Sequence, residues 1–228
     1  MKRNYVLAMT GASGAAYAVR LLEVLSAAGS DVYLSISPAA RSVLEHELDL
    51  AVDLDDFDPS MLLLDPSRRQ EDEKLQEIRT LAGISSEESS VLSVPTGEPG
   101  RVHYCHHEDL ESPIASGSFL TDGMVVCPCS MGTLGAIVHV AGRNVIHRAA
   151  EVHLKERRTL ILVPRETPLS VLQLDNMKRA AEAGAIVLPA MPGFYQKVTA
   201  VADLVDFVVA RICDQLGIRN ALVQRWGG

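Results

Sequence analysis

Where one apolar run ends, the chain places an arginine beside a glutamate: Val163-Pro164-Arg165-Glu166-Thr167-Pro168. A glutamate can take or give a proton, and a guanidinium can hold a phosphate through paired N–H donors. The run before them, 159–163, is short, apolar and β-branched, which predicts a strand covered on both faces. Thr167 and Pro168 predict the N-cap and first position of a helix. Ligands of open α/β sheets bind beyond the carboxyl ends of strands, so this spacing sets an acid and an anion binder at a crevice.

Three other turns have the same character. Gly11-Ala12-Ser13-Gly14-Ala15 joins a strand to a helix, and its small residues let backbone approach a phosphate at a helix N-terminus. The turn lacks the full dinucleotide fingerprint and the lysine of a P-loop, so a mononucleotide or flavin site and a plain tight turn both remain open. Ser37-Pro38 predicts an N-cap and first helical residue, and Ser130-Met131-Gly132-Thr133 repeats the pattern after a third strand. Together the three turns point to one phosphate-bearing ligand.

Charge is distributed unevenly. The chain has 228 residues and a formal net charge of -8, which argues against general binding to nucleic acid or anionic membrane. Yet Arg143, Arg148, Lys155, Arg157, Arg158 and Arg165 lie close together. Arg148 and Lys155, seven residues apart, share a helix face, while Arg157 and Arg158 read as solvated. Glu47, near a predicted helix end, is a weaker acid–base candidate than Glu166. Asp55-Asp56-Phe57-Asp58 reads as a solvated acidic loop. The seven histidines, with His103, His106 and His107 clustered, show no zinc spacing. Cys105, Cys127, Cys129 and Cys213 form no CxxC pair and read as reduced, semi-buried thiols. With no apolar leader or bilayer-length run, a cytoplasmic protein without a membrane span is expected.

The elements that must position these residues alternate. Strands are predicted at 5–9, 31–36, 123–127, 159–163 and 185–188. Helices are predicted from about 15 to 28, 38 to 47, 131 to 140, 146 to 157, 168 to 183 and 201 to 216. This is an α/β chain with a parallel sheet and right-handed crossovers. The 47% of hydrophobic residues suffice for one sizeable core. Residues 51–102 break the alternation and read as an inserted surface segment, partly helical and mobile, within a single domain spanning 1–228.

The motifs TGASGA (10–15), ASGSF (115–119), PCSMGTL (128–134), RAAEVHLKERRTLILVPRETPL (148–169), LPAMPGFY (188–195) and DLVDFVVAR (203–211) occur in order. In this the chain resembles the UbiX-type flavin prenyltransferases over nearly all its length except 51–102. The resemblance implies a single-domain, Rossmann-like or flavodoxin-like three-layer fold and a homo-oligomer, commonly a dodecamer, binding FMN between subunits. It implies metal-independent transfer of a dimethylallyl group from dimethylallyl phosphate to N5 and C6 of reduced FMN, for use by a UbiD-type decarboxylase. By motif, Gly11, Ala12, Ser13, Ser37, Ser130, Met131, Gly132, Thr133 and Arg165 correspond to flavin contacts. Ser116, Gly117, Arg148, Lys155, Tyr195 and Arg211 correspond to the prenyl-phosphate pocket. Glu166 and Glu47 correspond to acid–base residues, with Ser13 assisting. The segment at 51–102 is longer than the family pattern. Two alternatives stay open: a flavin-dependent cysteine decarboxylase of the same superfamily, and a non-catalytic flavin carrier.

Overall fold

The computed structural model describes residues 2–84, 99–195 and 197–225. Six parallel strands form one sheet in the order β3-β2-β1-β4-β5-β6: β1 (Asn4–Met9), β2 (Asp31–Ile36), β3 (Val102–Tyr104), β4 (Gly123–Cys129), β5 (Leu160–Pro164) and β6 (Ile186–Val187). The order reverses between β1 and β4, and such a switch point opens a crevice at the carboxyl edge. The expected α/β parallel fold is therefore the observed one.

Period-two alternation divides the core. Tyr5, Leu7 and Met9 of β1 enter one apolar cluster, and Val6 and Ala8 enter the other. Helices α1 (Ala15–Ala27), α2 (Pro38–Leu48) and α8 (Val201–Leu216) cover the first face. Helices α5 (Met131–Val138), α6 (Val145–Lys155) and α7 (Val171–Glu182) cover the second. Both faces of the sheet are sealed, which is why the strand sequences read as continuous apolar runs.

Several local expectations change. Helix α7 does not start at Pro168. Ser170 is its N-cap, accepting from the Gln173 N–H while the Gln173 side chain accepts from the Ser170 N–H. This reciprocal pair satisfies two otherwise orphaned donors, whereas the Thr167 N–H is taken by the Glu166 carboxylate (3.1 Å). The segment 51–102 is also more than surface. It contains α3 (Pro66–Glu71) and α4 (Glu73–Leu81), and its last residue opens the edge strand β3, which carries His103. Leu75 and Ile78 are buried in the main core because α4 is amphipathic and lies on α1, and Leu62, from the turn before α3, joins them. Its Ser/Gly/Pro-rich stretch, 85–98, lies outside the described residues. All four cysteines are buried rather than semi-buried. Burial pushes the Cys129 and Cys213 thiols up to about 12, so neither is a nucleophile at neutral pH.

Candidate active site at the carboxyl edge of the sheet

The three small-residue turns meet where β2, β1 and β4 end. The Ser37 N–H donates to the Met9 carbonyl (3.0 Å) and the Ser130 N–H to Thr10 Oγ1 (2.8 Å). Thr10 Oγ1 in turn donates to the Pro128 carbonyl (2.7 Å). Thr10 is buried and staples the ends of β1 and β4 across the switch point. Sequence reasoning passed over it, although a threonine closing an apolar strand just before a Gly turn was the available signal. Gly11 is required by packing: a Cβ there would lie 2.4 Å from the Ala39 Cβ, so any side chain would force the turn off α2.

Helix α1 begins at Gly14, whose φ of 115° is open to glycine at little cost. Its first N–H groups, which the sequence offered to a phosphate, instead hold a carboxylate. The Glu47 Oε2 atom accepts from the N–H groups of Gly14 and Ala15, both at 2.9 Å. Glu47 closes α2 and reaches α1 across 32 residues, so no local pattern could have shown the contact. Its slight burial opposes charge. The Ser13 hydroxyl, the Gly14 and Ala15 N–H groups and the Arg165 guanidinium outweigh that and hold the carboxyl below the usual range. At neutral pH Glu47 is therefore a proton acceptor and an anchor for the turn.

A depressed carboxylate contributes stability above its unfolded pKa and loses it as pH falls through the folded value. Glu47→Gln should therefore be less stable than the unaltered chain at neutral pH, and the two should converge below the usual carboxylate range. Urea unfolding across an acid pH series checks this, and a pH-independent gap would contradict it.

The turn at α5 has a different arrangement. Ser130 Oγ accepts from the Thr133 N–H (3.2 Å) and donates to Thr133 Oγ1 (3.0 Å). Helix geometry leaves the Met131 and Gly132 N–H groups without intrahelical acceptors. A Cβ on Gly132 would find no atom nearer than Ser130 Oγ at 4.0 Å. An anion thus has room and donors at α5. Ser37 is occupied as the cap of α2, accepting from the Ala40 N–H (3.1 Å).

Arg165 follows the last residue of β5 and donates through Nε to the Ser13 carbonyl (3.3 Å), tying the fourth strand end to the α1 turn. Glu166 sits beside it, with Oε1 accepting from the Thr167 N–H and Oε2 3.5 Å from Gln173 Nε2. Gln173 was not singled out from the sequence, yet it both caps α7 and aims Glu166. Glu47, Ser13 and Arg165 therefore stand together at the crevice, and Glu166 is the next residue after Arg165.

The second set does not join them within one chain. Lys155 is the last residue of α6, and β5 begins at Leu160, so Lys155 lies at the amino edge of the sheet. There its ammonium pairs with Glu156, and a Cβ on Gly117 would come within 2.9 Å of Nζ. Arg148, two turns earlier, donates through Nε to the Ala115 carbonyl (3.1 Å), next to Ser116. Ser116, Gly117, Arg148 and Lys155 form one cluster. Arg158 is not a solvated residue: it donates to the Gly117 and Phe119 carbonyls and shapes the 116–119 loop. Arg157, by contrast, is exposed as expected.

Tyr195 and Arg211 form a third group on the opposite face of the sheet. The Tyr195 ring packs edge-on against Phe207 of α8 (centroids 5.6 Å, 85°). Arg211, paired with Asp214 at 2.8 Å, borders a pocket of about 400 Å³ between β6 and α8. Among the described residues no group of three or more His, Cys, Asp or Glu side chains could hold a metal, and no helix is long and apolar enough to cross a membrane.

The model of the Flavoprotein family matches residues 1–213. Flavin prenyltransferase UbiX of Pseudomonas aeruginosa is 42% identical over 97% of this chain and 92% of its own. Flavin prenyltransferase UbiX of Thermoplasma acidophilum is 42% identical over 97% and 98%. Among solved structures, AnUbiX in complex with FMN and dimethylallyl pyrophosphate superposes with a TM-score of 0.76 at 34% identity, over 100% of this chain and 99% of its own. A dodecameric FMN-dependent UbiX-like decarboxylase from Escherichia coli gives 0.74 at 32% identity, over 99% and 100%. The FMN-dependent cysteine decarboxylase TvaF, at 12% identity and 0.53, shares the fold alone.

Proposed function

Because the chain belongs to the Flavoprotein family, and within it to the UbiX-type flavin prenyltransferases, we propose that it transfers a dimethylallyl group from dimethylallyl phosphate to N5 and C6 of reduced FMN. The prenylated FMN would serve a UbiD-type decarboxylase. The observation that supports this reading is the contact of Glu47 and Arg165 with the Ser13–Ala15 turn beside the switch point of the sheet, with Glu166 next to Arg165 in the chain.

The residues present suit a flavin. The space at Gly132, the α5 N–H groups and Ser130 fit an anionic group such as its phosphate. Gly11, Ala12, Ser13, Ser37, Met131, Thr133 and Arg165 would complete the contacts. Reduced FMN supplies the electron-rich ring that accepts the prenyl group. Loss of phosphate from the allylic carbon needs donors and cations aimed at growing negative charge, and Ser116, Gly117, Arg148, Lys155, Tyr195 and Arg211 would supply them. Glu166, beside Arg165, would move the protons that the two new ring bonds displace: of those leaving N5 and C6, one goes to the departing phosphate and the other to the middle carbon of the allyl group, whose double bond is used up. Glu47, held ionised, would keep the Ser13 turn in register.

The three clusters in one chain need copies of that chain to close the site. The exposed apolar side chains Val171, Leu172, Leu174, Met191 and Phe194 offer a surface such copies would cover, and a homododecamer is the assembly expected. Four buried, unbridged thiols suit a cytoplasmic location.

Anaerobic incubation of the chain with reduced FMN and dimethylallyl phosphate, then mass analysis of the extracted flavin, tests the reading. A gain of one prenyl unit is expected. Recovery of unmodified FMN with either the mono- or the diphosphate would refute it and leave the decarboxylase and carrier alternatives.

A further inference from the structure

Helix α4, in the segment that the family motifs leave unaccounted for, is joined to α1 and α8 by a chain of charges that the proposed reaction does not use. Arg20 of α1 is its hub. Its Nε donates to Asp206 Oδ1 of α8 and its Nη1 to Asp72 Oδ2, both at 2.7 Å. Asp72 is also the N-cap of α4, accepting from the Leu75 N–H (3.1 Å). Lys74, in the first turn of α4, reaches Asp206 Oδ2 (2.8 Å) and Asp203 Oδ1 (3.5 Å). The Asp206 side chain is 4% exposed and that of Arg20 13%, so the inner pair is shielded from screening.

What this network touches is informative. Asp203 Oδ2 accepts from the N–H and hydroxyl of Thr199 (both 2.9 Å) and from the Ala200 N–H (3.0 Å). It thereby fixes the end of the loop that carries Tyr195. The same helix carries Phe207, on which Tyr195 rests, and Arg211 one turn further on. One lysine of α4 thus grips the two aspartates that set the start of α8 and its preceding loop.

We propose that Lys74, with Arg20 behind it, is a positioning residue. Through Asp203 and Asp206 it holds α8 and the Tyr195 loop where Tyr195 and Arg211 meet the allylic phosphate, so that α4 governs substrate affinity without touching substrate. This rests on the prenyltransferase reading above. It predicts a selective defect, because among the described residues Lys74 pairs only with carboxylates of α8, whereas the flavin cluster is held by Glu47 and Arg165 at the ends of the strands.

The test is steady-state kinetics of Lys74→Met and Lys74→Arg in the full chain, with flavin affinity measured in parallel. For Lys74→Met the expected result is a KM for dimethylallyl phosphate raised about three- to tenfold, as two part-exposed ion pairs warrant, with kcat and flavin Kd unchanged. Lys74→Arg, which keeps the charge, should recover most of the loss. An unaltered KM would overturn the proposal, as would equal losses in KM, kcat and flavin affinity, which mark a merely structural role. Absence of prenylated flavin from the unaltered chain would overturn the underlying reading and the inference with it, and that result appears before any substitution is made.

Discussion

Glu166→Gln should reduce prenyl transfer about a thousandfold or more while FMN stays bound. The amide can still accept from the Thr167 N–H and face Gln173, so the loop between β5 and α7 keeps its shape. What it cannot do is carry a proton between ring and phosphate, and positioned acid–base groups are worth roughly 10²–10⁴ in rate. The flavin contacts assigned to Arg165 and the Ser13 turn are untouched, because Arg165 reaches that turn through its own Nε. Single-turnover product formation alongside equilibrium flavin titration separates the two effects. Full turnover in this variant would remove Glu166 from the mechanism. Loss of flavin together with turnover would make it a binding residue instead.

A second large effect follows from where the chain puts its cations. Lys155→Met should lower kcat/KM for dimethylallyl phosphate about 10²–10³-fold, the usual cost of removing one donor from developing charge. More telling is the behaviour of mixtures. Lys155 precedes β5 and Glu166 follows it, and five residues of strand span about 16 Å. The two therefore sit at opposite edges of the sheet in one chain, and a shared site takes them from different copies. Oligomers co-assembled from Lys155→Met and Glu166→Gln chains, each inactive alone, should regain about one quarter of normal activity, the fraction of sites that draw both intact residues under random assembly. No recovery on co-expression would mean that both residues serve from a single chain, against the placement seen here.

Much of the fold was legible because its signals are local. Short, continuous apolar and β-branched runs marked β1, β2, β4 and β5, since strands sealed on both faces must be apolar throughout. Ser37-Pro38 and Ser130 marked helix starts correctly because a cap is a contact made within three residues. The same logic failed at Thr167-Pro168, where the Ser170–Gln173 capping box makes two bonds and wins. It also missed β3, three residues long and stabilised by pairing with β2 rather than by its own pattern. The buried face of α4 escaped notice because its charged residues dominate the sequence, while Leu75 and Ile78 do the packing.

The sequence by itself determined which side chains this protein has for chemistry and that four strand ends would bring a set of them to one edge. Connectivity of a parallel sheet forces each strand-to-helix turn to that edge, so Ser13, Ser37, Ser130 and Arg165 could be grouped before any coordinates were known. Only the tertiary structure decided what those groups do. It set the Glu47 carboxylate on the α1 N-terminus and turned Arg158 onto the 116–119 loop. These outcomes depend on contacts between residues more than thirty apart, and neither period nor cap carries information over that distance. Their partners are fixed only when helices of different crossovers pack against one another and each charge takes the nearest satisfying group.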